Sequence, residues 1–357
     1  MSAIRPLRDF EAFRDAVSAY RLPRVLLTAL ELDLFTAIGA RAWTARALAR
    51  RVKVSERGLD ILLRNLASGG VLLKRGALYR NGRVAATALN ARHPAYRAAY
   101  LRLIRNHWDD WSRLTTSVRR GKPVPDDTPD DAAYRREFSW AMHHRSMEIA
   151  PRVAGQVKLR GARTLLDLGG GPGTYALAFL AENPQLRATV GDRGPALEVA
   201  KELAARVRHG RRLDYVPLDF MQRPVPGQWD VIWYSNVLHI YSPEENRALF
   251  RRLRGAMAPG GRLLIQDAFL WDREGLQPIE ANLFAVTMLL FTKTGNTYSA
   301  QDTMRWLREA GFSRVRRVKL RAGTGDWDGD LLEATVPARR AGTRGRRTRS
   351  TRRSARR

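Results

Sequence analysis

The chain has 357 residues, no cysteine and a formal net charge of +28. Its length fits about two domains, its apolar content can bury a sizeable core, and the missing thiols exclude disulfides, zinc fingers and thiol catalysis, leaving a reducing cytoplasm as the simplest expectation. The charge invites a nucleic-acid reading, but +10 of it lies in residues 339–357, which hold ten arginines and no acid and cannot fold alone.

That segment reads as a disordered tail, either simply solvated or touching nucleic acid or another polyanion. At the other end, MSAIRPLRDFEAFRDAV carries charges where a secretion signal needs an apolar core. The longest late apolar run, NLFAVTMLLF, is about half of what a bilayer crossing requires, so no membrane contact is expected.

Taken in chain order, RVLLTALELDLFTAI places apolar residues at helical spacing, and WTARALARRV follows as a short helix capped by Thr44. VSERGLDILLRNLASGG begins at a second cap, Ser55, and ends in a glycine pair. VLLKRGALYRNG closes the unit as a hairpin turning at Gly76 and at Asn81-Gly82. Together these predict a winged helix. Its would-be reading helix carries Leu59, Ile61, Leu62, Leu63 and Leu66 and only two arginines, whereas a base-reading helix needs several polar side chains. A module that packs against a second subunit is therefore preferred to a DNA reader. Residues 93–121 are helical and rich in rings (Tyr96, Tyr100, His107, Trp108, Trp111), and PVPDDTPDDAA at 123–133 is a loop near a domain boundary. The expected division is a helical dimerisation domain over 1–120, a second domain over 121–338 and the tail.

YRREFSWAMHHRSMEIAPRVAGQV reads as one helix leading into the second domain. From Thr164 onward, TLLDLG, LRATVGD, LDYVPLD, WDVIWYSNVL and GRLLIQDAFL alternate with helical segments, the signature of a doubly wound parallel α/β sheet. In such sheets ligands bind at the carboxyl ends of the strands. Gly169, Gly171 and Gly173 follow the first strand, so backbone can approach a ligand there without intervening side chains. A dinucleotide turn would read G-x-G-x-x-G. Here the pattern is D-x-G-x-G-x-G, and Asp167 before the turn repels a pyrophosphate and suits a cation, as in the ammonium and sulfonium of S-adenosylmethionine. Asp192, at the next strand end, suits ribose hydroxyls. Asp219 and Phe220 close the third strand, where an acid can accept from an adenine amino group and a ring can pack on the base.

His239 follows the fourth strand and Asp267 ends the fifth. Adjacent parallel strands bring such positions together, and a carboxylate on one imidazole nitrogen leaves the other free as a general base. A capping or core histidine is the competing reading. LLDLGGGPG, Gly191-Asp192, LDF at 218–220 and VLHIYSPEEN followed by APGGRLLIQDAFL resemble the S-adenosylmethionine-dependent O-methyltransferases of the caffeic acid and hydroxyindole type and their bacterial polyketide-tailoring relatives. LTALELDLFTAI through LLRNLASGGVL is similar to that family's winged-helix dimerisation domain, and the likeness runs to about Pro337.

The resemblance implies a homodimeric enzyme in which His239 is the catalytic base and Asp267 orients it. It places Ser235 where plant members carry a lysine near the cofactor, and Thr297, in TGNTYS, where relatives have a second supporting glutamate. The expected acceptor is a small aromatic or polyketide-like hydroxyl compound, lined by Phe138 and Met142 from the helix entering the domain and by Phe284 and Met288 from the helix after the fifth strand. No metal is implied. Two rivals share parts of this pattern: methyl transfer to nitrogen, carbon or an RNA base, and a DNA-binding regulator with S-adenosylmethionine as effector.

Overall fold

The computed structural model describes residues 7–125, 132–159, 161–321 and 330–338; the arginine-rich tail lies outside them. The N-terminal part runs α1 (Phe10–Ser18), α2 (Arg21–Glu31), α3 (Leu34–Ile38), β1 (Trp43–Thr44), α4 (Ala45–Val52), α5 (Glu56–Ser68), β2 (Leu72–Arg75), β3 (Leu78–Asn81) and α6 (Arg83–Thr87). The predicted caps are in place: Thr44 accepts from the amide of Ala47 and Ser55 from that of Gly58. Strands β2 and β3 form the expected antiparallel hairpin, and β1 joins it in the order β1-β3-β2. Leu59, Leu63 and Leu66 of α5 face a core with Leu30, Phe35, Leu48 and Tyr79. Apolar burial, not base reading, is what those leucines serve.

Helices α7 (Ala99–Asn106), α8 (Trp108–Ser112) and α9 (Leu114–Arg120) precede α10 (Ala132–Ser146) and α11 (Ile149–Gln156). The single helix expected from Tyr134 to Val157 is thus two, broken at Met147-Glu148 by a turn. Beyond it come β4 (Thr164–Leu168), α12 (Thr174–Glu182), β5 (Arg187–Asp192), α13 (Gly194–Ala205), β6 (Leu213–Pro217), β7 (Trp229–Ser235), α14 (Pro243–Gly255), β8 (Met257–Gln266), α15 (Ile279–Phe291), α16 (Ala300–Glu309), β9 (Ser313–Lys319) and β10 (Asp330–Thr335).

The sheet order is β6-β5-β4-β7-β8-β10-β9. Its first five strands pair in parallel, as expected, while β10 is antiparallel to both β8 and β9. The wholly parallel expectation is corrected at this edge. SRVRRVK alternates exposed cations with half-buried positions, a pattern one solvated face allows and a doubly covered parallel strand does not. Strand order reverses at β4 and β7, with β5 on one side of β4 and β8 beyond β7, so the carboxyl ends of β4 and β7 frame the crevice where open α/β sheets bind ligands. Among the described residues no helix is long and apolar enough to cross a membrane.

Candidate active site

The turn after β4 is built by what lies beneath it. Gly169, Gly171 and Gly173 all have positive φ, at 69°, 51° and 67°, conformations that glycine alone adopts without steric penalty. A Cβ on Gly169 would stand 2.8 Å from Val237, and one on Gly170 would stand 2.4 Å from the carboxyl carbon of Asp167. Asp167 therefore sits under the turn, 2 % exposed, where its Oδ2 accepts from the amide of Ala176 in the first helical turn of α12. Burial pushes its pKa up to about 7, against the lowering effect of the Ala176 N–H, and the charge of Asp192 raises it further. Asp167 thus ties the end of β4 to the first turn of α12 from beneath the glycine turn.

Asp192 is the carboxylate on the ligand side. Its Oδ2 accepts from Gly171 N at 2.7 Å and its Oδ1 from Arg193 N at 2.6 Å. Burial raises its pKa, and these two N–H groups oppose the rise. A Cβ on Gly171 would meet nothing nearer than Asp192 Oδ2 at 4.0 Å, so the outer face of the turn is open. Asp219 lies two residues past β6, where its Oδ1 accepts from the amides of Met221 and Gln222. Phe220 is buried below Gly169, edge-on to Tyr234 and Tyr241. Ser235 ends β7, with its hydroxyl 3.0 Å from the side-chain amide of Asn236.

His239 lies in a single 3₁₀ turn, Leu238–Ile240, just past β7, and is 6 % exposed. Its Nδ1 is 2.8 Å from Oδ1 of Asp267, which also accepts from the amide of Ala268 at 2.7 Å. With a carboxylate on Nδ1, that nitrogen carries the proton and Nε2 keeps its lone pair. The Phe284 ring stands edge-on to the imidazole, 4.6 Å between centroids and 83° between planes. Met288, one turn further along α15, is buried.

Phe138 and Met142 lie on α10, which packs on α7, α12 and α13. Phe138 is 40 % exposed and its ring lies 6.4 Å from that of Tyr134 on its own helix. Thr297 is buried with its hydroxyl unbonded among the described residues, as is Oδ2 of Asp267. The second acid of the family pattern has no counterpart here.

Further residues escaped sequence reasoning. Asn246, wholly buried in α14, donates through Nδ2 to the carbonyls of Leu238, Tyr241 and Ser242, each at 3.0 Å, and so clamps the turn that carries His239. Its one sequence signal is its place behind the capping pair Ser242 and Glu245. From the other side, the amide of Asn296 donates to the His239 carbonyl at 2.9 Å, and a Cβ on Gly295 would lie 2.4 Å from that same oxygen. His143 on α10 meets Thr174 at the head of α12, a contact that helical spacing alone does not reveal.

Known proteins resemble the chain in sequence and in fold. The O-methyltransferase domain family matches residues 116–313, and the O-methyltransferase dimerisation domain family matches residues 15–91. Over 305 residues the chain is 32 % identical to 3-hydroxy-5-methyl-1-naphthoate 3-O-methyltransferase of Streptomyces sahachiroi, spanning 83 % of this chain and 87 % of that one. It is 30 % identical over 301 residues to the tetracenomycin polyketide synthesis 8-O-methyl transferase of Streptomyces glaucescens, spanning 82 % and 88 %. In fold it resembles human N-acetylserotonin methyltransferase, solved in complex with S-adenosylmethionine, with a TM-score of 0.80 over 95 % of this chain and 100 % of that chain at 23 % identity. The chain belongs to the O-methyltransferase family, carries that family's dimerisation domain, and is an O-methyltransferase.

Proposed function

We propose that this enzyme moves a methyl group from S-adenosylmethionine to a hydroxyl of a small aromatic or polyketide-like acceptor, with His239 as the general base and Asp267 as the group that orients it. The 2.8 Å bond between His239 Nδ1 and Asp267, at a buried imidazole faced by Phe284, carries this reading. The open outer face of the glycine turn, with Asp192 beside it and Phe220 beneath, fits the cofactor. Asp192 would take the ribose hydroxyls, Asp219 and Phe220 the adenine, and Gly169, Gly171, Gly173 and Ser235 the amino-acid end. When bound, S-adenosylmethionine supplies a methyl group already activated by its sulfonium.

What remains for the protein is to align the acceptor oxygen and remove its proton. Alignment of this kind can supply about 7–11 kcal/mol. A phenol has a pKa of about 10, and a positioned base typically contributes a factor of about 10² to 10⁴. His239 takes the hydroxyl proton at Nε2 while Asp267 holds the ring and stabilises the imidazolium. Phe284 and Met288 offer an apolar face to a flat guest, and Phe138 and Met142 of α10 would add apolar surface to the acceptor site. The names of the naphthoate and tetracenomycin relatives support an aromatic, polyketide-like acceptor.

In this reading residues 1–120 form the dimerisation unit and 121–338 the cofactor-binding unit, and the protein works as a homodimer. Helix α1 supports the dimer: it has no buried residue, and Phe10 is 76 % exposed beside exposed Phe13 and Val17. The test is incubation of the pure protein with methyl-labelled cofactor and a panel of phenols, polyketides and RNA. Label is expected on a phenolic or polyketide oxygen. Label on RNA alone, or on nitrogen or carbon alone, would overturn the acceptor assignment.

A further inference from the structure

Two adjacent histidines on α10, neither used in the proton transfer above, reach in different directions. The Nδ1 of His143 lies 2.9 Å from Oγ1 of Thr174, the first residue of α12 and the neighbour of Gly173. The ring of His144 stands edge-on to Tyr96, just ahead of α7, at 5.7 Å between centroids, and Trp140 packs against both imidazoles. Helix α12 starts unusually: its N-cap is Gly173 in the left-handed conformation, with no side chain to accept from the first amides. Its start is held from outside instead. Asp167 accepts from Ala176 N from below, and His143 reaches the Thr174 hydroxyl from the side.

The Thr174 hydroxyl can donate to Nδ1 of His143 or accept from it, so either neutral tautomer of the imidazole sustains the contact. Burial, with help from His144 and Arg206, brings the His143 pKa down to about 4, so the ring is neutral near pH 7. Thr174 is itself buried, so water is poorly placed to replace the bond.

We propose that His143 is a positioning residue of the cofactor site: through the hydrogen bond between its Nδ1 and the Thr174 hydroxyl, it fixes the first turn of α12, and with it the glycine turn, against α10. This rests on the reading that the glycine turn binds S-adenosylmethionine. It also means that α10, which carries Phe138 and Met142, and the cofactor turn move as one body.

The test is calorimetric titration of S-adenosylhomocysteine into the full-length protein and four variants. His143→Leu and Thr174→Val should each weaken binding about fivefold, the effect of one ordinary net hydrogen bond. The double variant should be no weaker than either single one, because both remove the same bond. His143→Asn, whose side-chain amide places an acceptor near the position of Nδ1, should restore affinity to within about twofold, even if its melting temperature falls as far as that of His143→Leu. Unchanged affinity in His143→Leu, losses that multiply in the double variant, or an Asn variant as weak as Leu would overturn the proposal while leaving the cofactor reading intact. A wild-type protein that takes up no S-adenosylhomocysteine would overturn both.

Discussion

At the scale of single residues, the site is defined by which polar groups are buried and what they hold. His239 has its Nδ1 committed to Asp267, so in the proposed mechanism Nε2 is the nitrogen that takes the proton. His239→Ala should lower kcat by about 10² to 10⁴, the usual contribution of a positioned base, with cofactor affinity nearly unchanged in the same preparation. Wild-type turnover in that variant would show that alignment alone drives the reaction. Asp167 gives a pH prediction of definite sign. Its pKa is raised to about 7, so its contribution to stability is fully present below its unfolded value of about 4 and is lost as pH climbs through 7. Asp167→Asn keeps an acceptor for the amide of Ala176 and cannot ionise. Its melting temperature should therefore gain on that of the wild type between pH 4 and pH 8, and a gap that stays constant would refute the burial argument. The acid at 167 and the histidine at 239 were legible in the sequence, since spacing relative to strand ends requires only local pattern. That Asp167 lies beneath the turn was not, because burial is set by what packs above it.

At the scale of elements, the glycine turn and the His239 turn are held by opposite means. The glycine turn is close-packed: Gly170→Ala would press a Cβ to 2.4 Å from the Asp167 carboxyl carbon. Overpacking of this kind costs about 1–3 kcal/mol. The expected outcome is a lower melting temperature together with weaker binding of S-adenosylhomocysteine, both measurable by calorimetry. The His239 turn is instead tied by hydrogen bonds from Asn246 to three carbonyls. Asn246→Ala removes the side-chain bonds that join α14 to the turn, each an ordinary net hydrogen bond of about 0.5–1.5 kcal/mol, while the carbonyls keep other donors in the amide of Tyr241, the hydroxyl of Tyr298 and the amide of residue 246. Turnover should fall while cofactor affinity holds, and a loss confined to the affinity would contradict the clamp. The antiparallel pair β9 and β10 shows why element type was easier to read than partner. Among the described residues β9 joins only β10 in the sheet, and β10 in turn joins β8, more than sixty residues earlier in the chain, a pairing that no local pattern announces.

At the scale of the whole molecule, the exposed apolar side chains of α1 and the basic C-terminal tail are the features a single folded copy leaves unexplained. If a second subunit covers α1, the double substitution Phe10→Glu and Phe13→Glu should convert a dimer into a monomer by light scattering. A dimer that survives the change would place the interface away from Phe10 and Phe13. Removal of residues 339–357 should leave folding and small-molecule turnover as they were, because the segment carries ten cations and almost no apolar side chain with which to dock. Loss of both on truncation would make the tail part of the enzyme.

The sequence alone determined the two-part organisation, the α/β sheet, the glycine turn, the strand-end acids and the pairing of His239 with Asp267. Each depends on short-range periodicity, on caps or on residues at strand ends, and parallel neighbours bring strand ends together whatever lies between them. Only the tertiary structure decided that Asp167 is buried under its turn, that Asn246 and Asn296 hold the His239 turn from two sides, and that His143 reaches Thr174. Those contacts join residues from different elements, and packing, which no local pattern encodes, sets them.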